Sequence, residues 1–333
     1  MKDGSRGSIK DALDNAQFDI EHALGLYAVN FCTIPAEGLY DKGALAPLME
    51  VIESCHIYLI GYTPRIQLAS AEEGNGKLNI RFLVAEREHT VTYDLPEGLS
   101  LKHEDGMPYL EDPEGGKRWP NDADIQRRLC RQSEAVDFDV KYIGQAYGTD
   151  GARSAIDRLL KHETLQKIAL KGVPNGYRLT LLLLAVEPST QLFTFMNPRA
   201  KNKNNGPQRI KAGLDKLFNT NQEEQISLYE AALIRYFMPE YNIEFKKSFP
   251  STKLKILQDC YEKDFSGVVA EISIDELPFR LFSSIVAPAW NHIAKYDLHK
   301  EKDRKAFFGF KYLAGSAQQI GKERHTFAPY QGR

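Results

Sequence analysis

The chain carries almost no surplus of either charge. Its 333 residues hold 43 Lys and Arg against 45 Asp and Glu, a formal net charge of −2. That excludes a whole-surface polycation, so any nucleic-acid site must be a local basic patch. Cysteine is scarce: Cys32, Cys55, Cys130 and Cys260 lie far apart with no CxxC spacing. This excludes a disulfide framework and a cysteine zinc site, and reads as reduced thiols in a cytoplasmic protein. The start, MKDGSRGSIKDALDNAQ, has no apolar core, so no signal peptide is expected. The longest apolar run, Leu179 to Val186, is interrupted by Thr180 and falls far short of a bilayer span, so no membrane partner is expected. Fixed-period repeats and low-complexity tracts are absent. So are a glycine-rich phosphate loop, a nucleophile elbow and an HExxH motif, which leaves a metabolic enzyme of those classes without support.

What is present reads as an α+β chain of three parts. Residues 1–125 form an α+β part with no assigned role. Residues 134–250 form a small antiparallel sheet flanked by helices, and 251–333 form a C-terminal extension or small domain. In the first part, Tyr27 to Cys32 and His56 to Tyr62 read as strands, Ala44 to Ser54 as a helix, and Leu78 to Ala85 with Thr90 to Leu95 as a hairpin. Pro and Gly density from Pro96 to Asp122 marks loops or a linker. In the second part, Asp137 to Tyr142 alternates polar and apolar, as a half-buried strand does. A turn over Gly144 to Gly151 then leads to a helix capped by Asp150 and running to about Leu165. Tyr177 to Glu187 reads as a central strand buried on both faces. Thr220-Asn-Gln-Glu223 resembles a capping box before a helix that ends near Phe237. Gly267 to Ile274 reads as a strand, and Lys300 to Lys311 as a charged helix face.

Two helices carry the candidate chemistry. On the first, Ala152, Ala155, Ile156, Leu159 and Leu160 make an apolar face, with Arg158 and His162 together at its border. A solvated Arg and His on an ordinary helix is the rival reading. On the second, Ile226, Tyr229, Leu233, Ile234 and Phe237 make the apolar stripe, and Glu230 falls inside that arc. A carboxylate there needs a partner, either an Arg or Lys from another element or a divalent cation.

In this order the residues resemble the GIY-YIG nuclease family. Tyr142-Ile143-Gly144 stands as the YIG at the end of a strand. Arg158-Leu-Leu-Lys-His162 is similar to the family's Arg-xxx-His element. Glu230 to Asn242, with its LI pair and Pro239 between, looks like the family's Glu helix and closing asparagine. The resemblance covers about residues 134–246. The family's first motif, ending in tyrosine, belongs about ten residues before the YIG. There the sequence is RRLCRQSEAVDFDV, with no tyrosine, so Tyr147 or the strand Val91 to Tyr93 is the alternative source.

The resemblance implies a metal-dependent endonuclease, acting on DNA ahead of RNA, with repair, mobile-element or foreign-DNA restriction as contexts. It implies Mg²⁺ or Mn²⁺ held by Glu230, phosphate stabilisation by Arg158, water activation by Tyr142 with His162, and positioning by Asn242. Between Pro198 and Lys216, Arg199, Lys201, Lys203, Arg209, Lys211 and Lys216 face a single acid, Asp215. This is a candidate phosphate-contact loop, a solvated surface loop being the rival reading. The alternative function is an inactive GIY-YIG-like module that binds nucleic acid or a protein.

Overall fold

The computed structural model describes residues 9–132, 136–146, 155–186, 191–250 and 254–299. The described strands are β1 (Ile20–Pro35), β2 (Ile57–Pro64), β3 (Ile66–Gly74), β4 (Lys77–Val84), β5 (Arg87–Asp94), β6 (Ser100–Glu104), β7 (Met107–Glu111), β8 (Lys117–Arg118), β9 (Phe138–Gln145), β10 (Tyr177–Val186), β11 (Gln191–Met196), β12 (Gly267–Ser273), β13 (Leu281–Phe282) and β14 (Asn291–Asp297). The helices are α1 (Ile9–Asn15), α2 (Lys42–Leu45), α3 (Met49–Ser54), α4 (Asp122–Gln132), α5 (Ala155–Leu160), α6 (Glu163–Lys171), α7 (Gly206–Asn219), α8 (Gln222–Phe237) and α9 (Lys255–Glu262). Asp150, Tyr147 and Lys300 to Lys311 lie outside the described residues.

The architecture is α+β. One eight-stranded mixed sheet follows the order β13-β9-β2-β10-β1-β12-β14, with β11 also on β1. All three sequence segments contribute strands to it. The inner run β9-β2-β10-β1 is antiparallel throughout. The continuous apolar pattern of β10 has the expected cause, since alternate residues feed two cores. Leu182, Leu184 and Val186 pack with α8, while Leu179, Leu181, Leu183 and Ala185 pack with α3, α5 and α6. β1 is long enough to serve two neighbours. Its second half pairs with β10 and its first half with β11 and β12.

Residues 65–132 and 136–137 belong to a module inserted between the adjacent strands β2 and β9. It carries the sheets β3-β4-β5 and β6-β7-β8 and a core of its own, in which Ile80, Phe82, Val91 and Leu110 meet Ile125 and Leu129 of α4. The β4–β5 hairpin is the expected one. The Pro/Gly-rich stretch expected to be loop instead contains the β6–β7 hairpin. Asp105 and Gly106, both at positive φ, supply its two-residue turn. Asp137, an outward position in the alternating pattern, is fully buried. Its carboxylate accepts Arg280 Nε at 2.9 Å and a second guanidinium nitrogen at 2.7 Å. This charge-assisted pair ties the strand β13 to the start of β9.

β2 and β9 approach closely because Gly61 lacks a side chain. A Cβ there would lie 2.5 Å from the Asp139 carbonyl oxygen and inside the Phe138 ring. Gly61→Ala is expected to destabilise the fold by about 3 kcal/mol, because a buried ring and a strand backbone must both move. A urea midpoint unchanged from that of the unsubstituted chain would refute this.

Candidate active site

The helix expected from Asp150 to Leu165 is two helices. α5 ends at Leu160, and His162 caps α6, its Nδ1 accepting the Leu165 backbone N–H at 3.2 Å. Arg158 and His162 are therefore not neighbours on one helical face. They remain electrostatic neighbours across the junction, since the Arg158 charge lowers the pKa of His162 after burial has already lowered it. The cap bond also assigns the tautomer. With the Nδ1 lone pair engaged, the neutral ring carries its proton on Nε2 and presents a donor there.

His162 sits between two tyrosines. Its ring centroid lies 5.2 Å from that of Tyr142 and 5.3 Å from that of Tyr58, and the tyrosine rings stack at 6.1 Å. Tyr58 is the residue the sequence reading missed. It precedes Tyr142 by 84 positions, yet β2 pairs with β9 so that Tyr58 stands opposite Gly144 and Ile60 opposite Tyr142. Of the two alternatives, Tyr147 lies outside the described residues. Tyr93 stands on β5 in the inserted module, where its hydroxyl donates to Asp124 at 3.1 Å. The glycine of Tyr-Ile-Gly has a local reason as well. A Cβ on Gly144 would lie 2.5 Å from the Tyr58 hydroxyl oxygen and 2.8 Å from the Tyr142 ring.

Glu230 reaches this cluster from α8. That helix is capped by Asn221, whose Oδ1 accepts the Glu224 N–H at 2.8 Å, rather than by Thr220. Ile226, Tyr229, Leu233, Ile234 and Phe237 are all buried, as the stripe requires, and Glu230 is half-buried at its border. Its Oε2 accepts Gln145 Nε2 at 2.7 Å, and the same amide donates to Ser227 at 3.2 Å. Burial raises the Glu230 carboxyl to about 7. The Gln145 bond and the Arg158 charge pull it down, and the Glu244 carboxylate adds to the rise. Both tyrosines are held above their ordinary range, burial being the largest cause in each. For Tyr142 the Glu230 charge comes next, while Arg158 acts in the opposite direction. Arg158, exposed at the end of α5, thus acts on Tyr58, Tyr142, His162 and Glu230 alike.

Asn242 does not face the cluster. Its Oδ1 accepts the Ile143 N–H at 2.9 Å and its Nδ2 donates to the Ile143 carbonyl at 2.8 Å. With the Tyr241 N–H bonded to the Lys141 carbonyl at 3.0 Å, the chain after α8 completes the outer edge of β9. Met238 at φ 50° makes the turn that brings it there. Asn242 therefore holds β9 through the Ile143 peptide. Asn242→Ala leaves a buried N–H and C=O unpaired and is expected to destabilise the fold by about 3 kcal/mol, measured by chemical denaturation.

The basic loop is only partly a phosphate surface. Arg209 is 9 % exposed; it is paired with Asp264, bonded to the Ile20 carbonyl and stacked 3.6 Å over Phe18. Lys216 is 2 % exposed and bonds Asp259 at 2.6 Å. Neither can meet a phosphate; both hold α7 against the N-terminal half of β1 and α9. Arg199 bonds Asp14 at 2.5 and 2.9 Å on the surface. Lys201, Lys203 and Lys211 are exposed. Sequence reasoning missed the burial because a basic run looks the same whether its acids are local or distant.

The cluster offers a cation few donors. Among the described residues no group of three His, Cys, Asp or Glu gathers into a cage. Glu230 offers a carboxylate that burial makes costly to ionise, with the Glu244 carboxylate close enough to be felt. One or two carboxylates with water and substrate oxygens are the usual setting for Mg²⁺ or Mn²⁺.

The chain matches no protein-family model, no curated protein and no solved structure. The argument for function therefore rests on the cluster itself. Among the described residues no helix is long and apolar enough to cross a membrane.

Proposed function

We propose that this chain is a metal-dependent endonuclease of the GIY-YIG type that hydrolyses phosphodiester bonds, in DNA ahead of RNA. The contexts this suits are repair, mobile-element movement or restriction of foreign DNA. One observation carries the reading: Tyr58 and Tyr142, from two paired strands, meet His162 and the desolvated Glu230 under the charge of Arg158. In this reading His56-Ile57-Tyr58 is the first motif, split from Tyr-Ile-Gly by the inserted module. The antiparallel strands β2 and β9 are then the family's paired motif strands.

Each residue has a chemical task. Arg158 offers forked donors to the phosphate as negative charge builds on it. His162 is neutral and donates from Nε2–H, so it orients an oxygen rather than taking a proton. Glu230, aimed by Gln145, would hold Mg²⁺ or Mn²⁺; when bound, the cation stabilises the leaving oxygen as a Lewis acid. Neutralising Glu230 removes one cause of the high Tyr142 pKa and leaves Arg158 pulling it down, which moves Tyr142 toward the base that takes the water's proton. Asn242 fixes the strand that carries Tyr142.

The test is cleavage of plasmid and oligonucleotide substrates with Mg²⁺ or Mn²⁺, abolished by EDTA. Arg158→Ala is expected to slow cleavage by roughly 10²-fold in a chain that still folds, because Arg158 is exposed. Salt-dependent binding without turnover under any divalent cation would replace this reading with the binding module.

A further inference from the structure

The wall of the tyrosine cluster has a second side. α5 places Arg158 toward the cluster and, on the next two residues, Leu159 and Leu160 against a cavity of about 330 Å³. The cavity opens between α5, α6, the start of β10 and the 3₁₀ turn Ala36–Tyr40. This volume lies at the small end of ligand pockets, the size of one flat ring system with its edges hydrated. Leu159, Leu165 and Leu179, all buried, floor it. Tyr177 and the 78 % exposed Tyr40 supply aromatic faces at its mouth. Arg65 and Arg178 stand at the rim, Arg65 held there by a bond from Nε to the Tyr177 carbonyl at 3.2 Å. Glu37 and Gln166 add hydrogen-bonding groups to the lining.

We propose that this cavity receives an unstacked nucleobase of the substrate strand, with Arg65 and Arg178 on the phosphates that flank it. This rests on the nuclease reading and narrows its substrate to strands with an extrahelical or unpaired base beside the scissile bond. Three features favour a nucleotide over an apolar peptide side chain. The lining carries two guanidiniums, Arg65 and Arg178, against one acid, Glu37. The surrounding segment 155–186 holds Arg158, Lys161, Lys167, Lys171 and Arg178 against Asp157 and Glu163, so it is locally basic in a chain that is not. The cavity wall also adjoins Arg158 in sequence, since Leu159 and Leu160 follow it on α5. An aromatic face at the mouth of an apolar slot is what an extruded base requires, since it must replace the stacking that the base gives up.

Two oligonucleotide duplexes test the proposal, one fully paired and one with a single-base bulge carrying 2-aminopurine, each bound in EDTA. The unsubstituted protein is expected to bind the bulged duplex about ten-fold tighter, the size of one stacked base, with a change in 2-aminopurine emission. Tyr40→Ala, and separately Ala169→Trp to fill the slot, should erase both the preference and the emission change. Both positions are exposed, so neither variant should disturb folding or paired-duplex affinity. Equal affinity for the two duplexes, or a preference that survives both variants, would overturn the cavity assignment. Cleavage of paired DNA in that case leaves the nuclease reading standing. Absence of both binding and cleavage overturns the two together.

Discussion

Replacing Glu230 with Gln is expected to abolish metal-dependent cleavage, by at least roughly 10³-fold, while raising the melting temperature above pH 7. The activity loss follows from removing the carboxylate that would hold the cation, whose charge stabilisation is worth several kcal/mol at tenfold per 1.36 kcal/mol. The stability gain follows from linkage. In the folded chain the Glu230 carboxyl is raised from 4.5 to about 7, chiefly by burial. Below the unfolded value both states are protonated and Glu230 is neutral to stability. As pH rises from there toward 7, the unfolded chain ionises first and the fold loses stability, up to about 3 kcal/mol, and the loss persists above. Gln cannot ionise, keeps the shape, and escapes it. A divalent cation should do the same for the unsubstituted protein. Mg²⁺ or Mn²⁺ is expected to raise its melting temperature at pH 8, to have little effect at pH 5, and to have none in Glu230→Gln. A fall in melting temperature for Glu230→Gln at pH 8 would instead mark Glu230 as half of a structural ion pair.

The second large effect is expected from a residue with no motif of its own. Tyr58→Phe should slow cleavage by roughly 10²- to 10³-fold, within the range for loss of a proton-transfer group, and Tyr142→Phe by a similar factor. Tyr58 is 1 % exposed, and its ring packs against Tyr142 and His162. Phenylalanine retains that packing and loses only the hydroxyl contact, so both variants should stay folded at a cost of about 1 kcal/mol. The hydroxyls are the variable: each tyrosine alters the acidity of the other, and one alone cannot keep that arrangement. Full activity in Tyr58→Phe with loss in Tyr142→Phe would reduce Tyr58 to a packing residue. Loss in both, with folding intact, would assign the pair a shared function.

Much of the fold was legible because it is local. Val140 and Tyr142 alternate with polar neighbours, and the strand is there. The apolar run after Tyr177 is a strand buried on both faces. Glu230 stood out against its helix stripe, and burial raises its carboxyl. Hairpin and helix periodicities sit within windows of about ten residues, where spacing alone carries the signal. Errors arose where a side chain answers a distant partner. His162 looked like the fourth residue after Arg158 on one helix, but its ring caps the next helix, and the chain breaks between them. Arg209 and Lys216 looked like phosphate ligands, but Asp264 and Asp259, some fifty residues on, take them into the interior.

The sequence by itself determined the strand bearing Tyr142 and the helix bearing Glu230. Only the tertiary structure decided which tyrosine faces Tyr142. An inserted module of its own core separates β2 from β9, and pairing between strands that far apart is set by the sheet as a whole. The same holds for Asn242, whose amide finds the Ile143 peptide 99 residues away. Local pattern states what each segment can form, and long-range backbone pairing chooses which of those segments share an active surface.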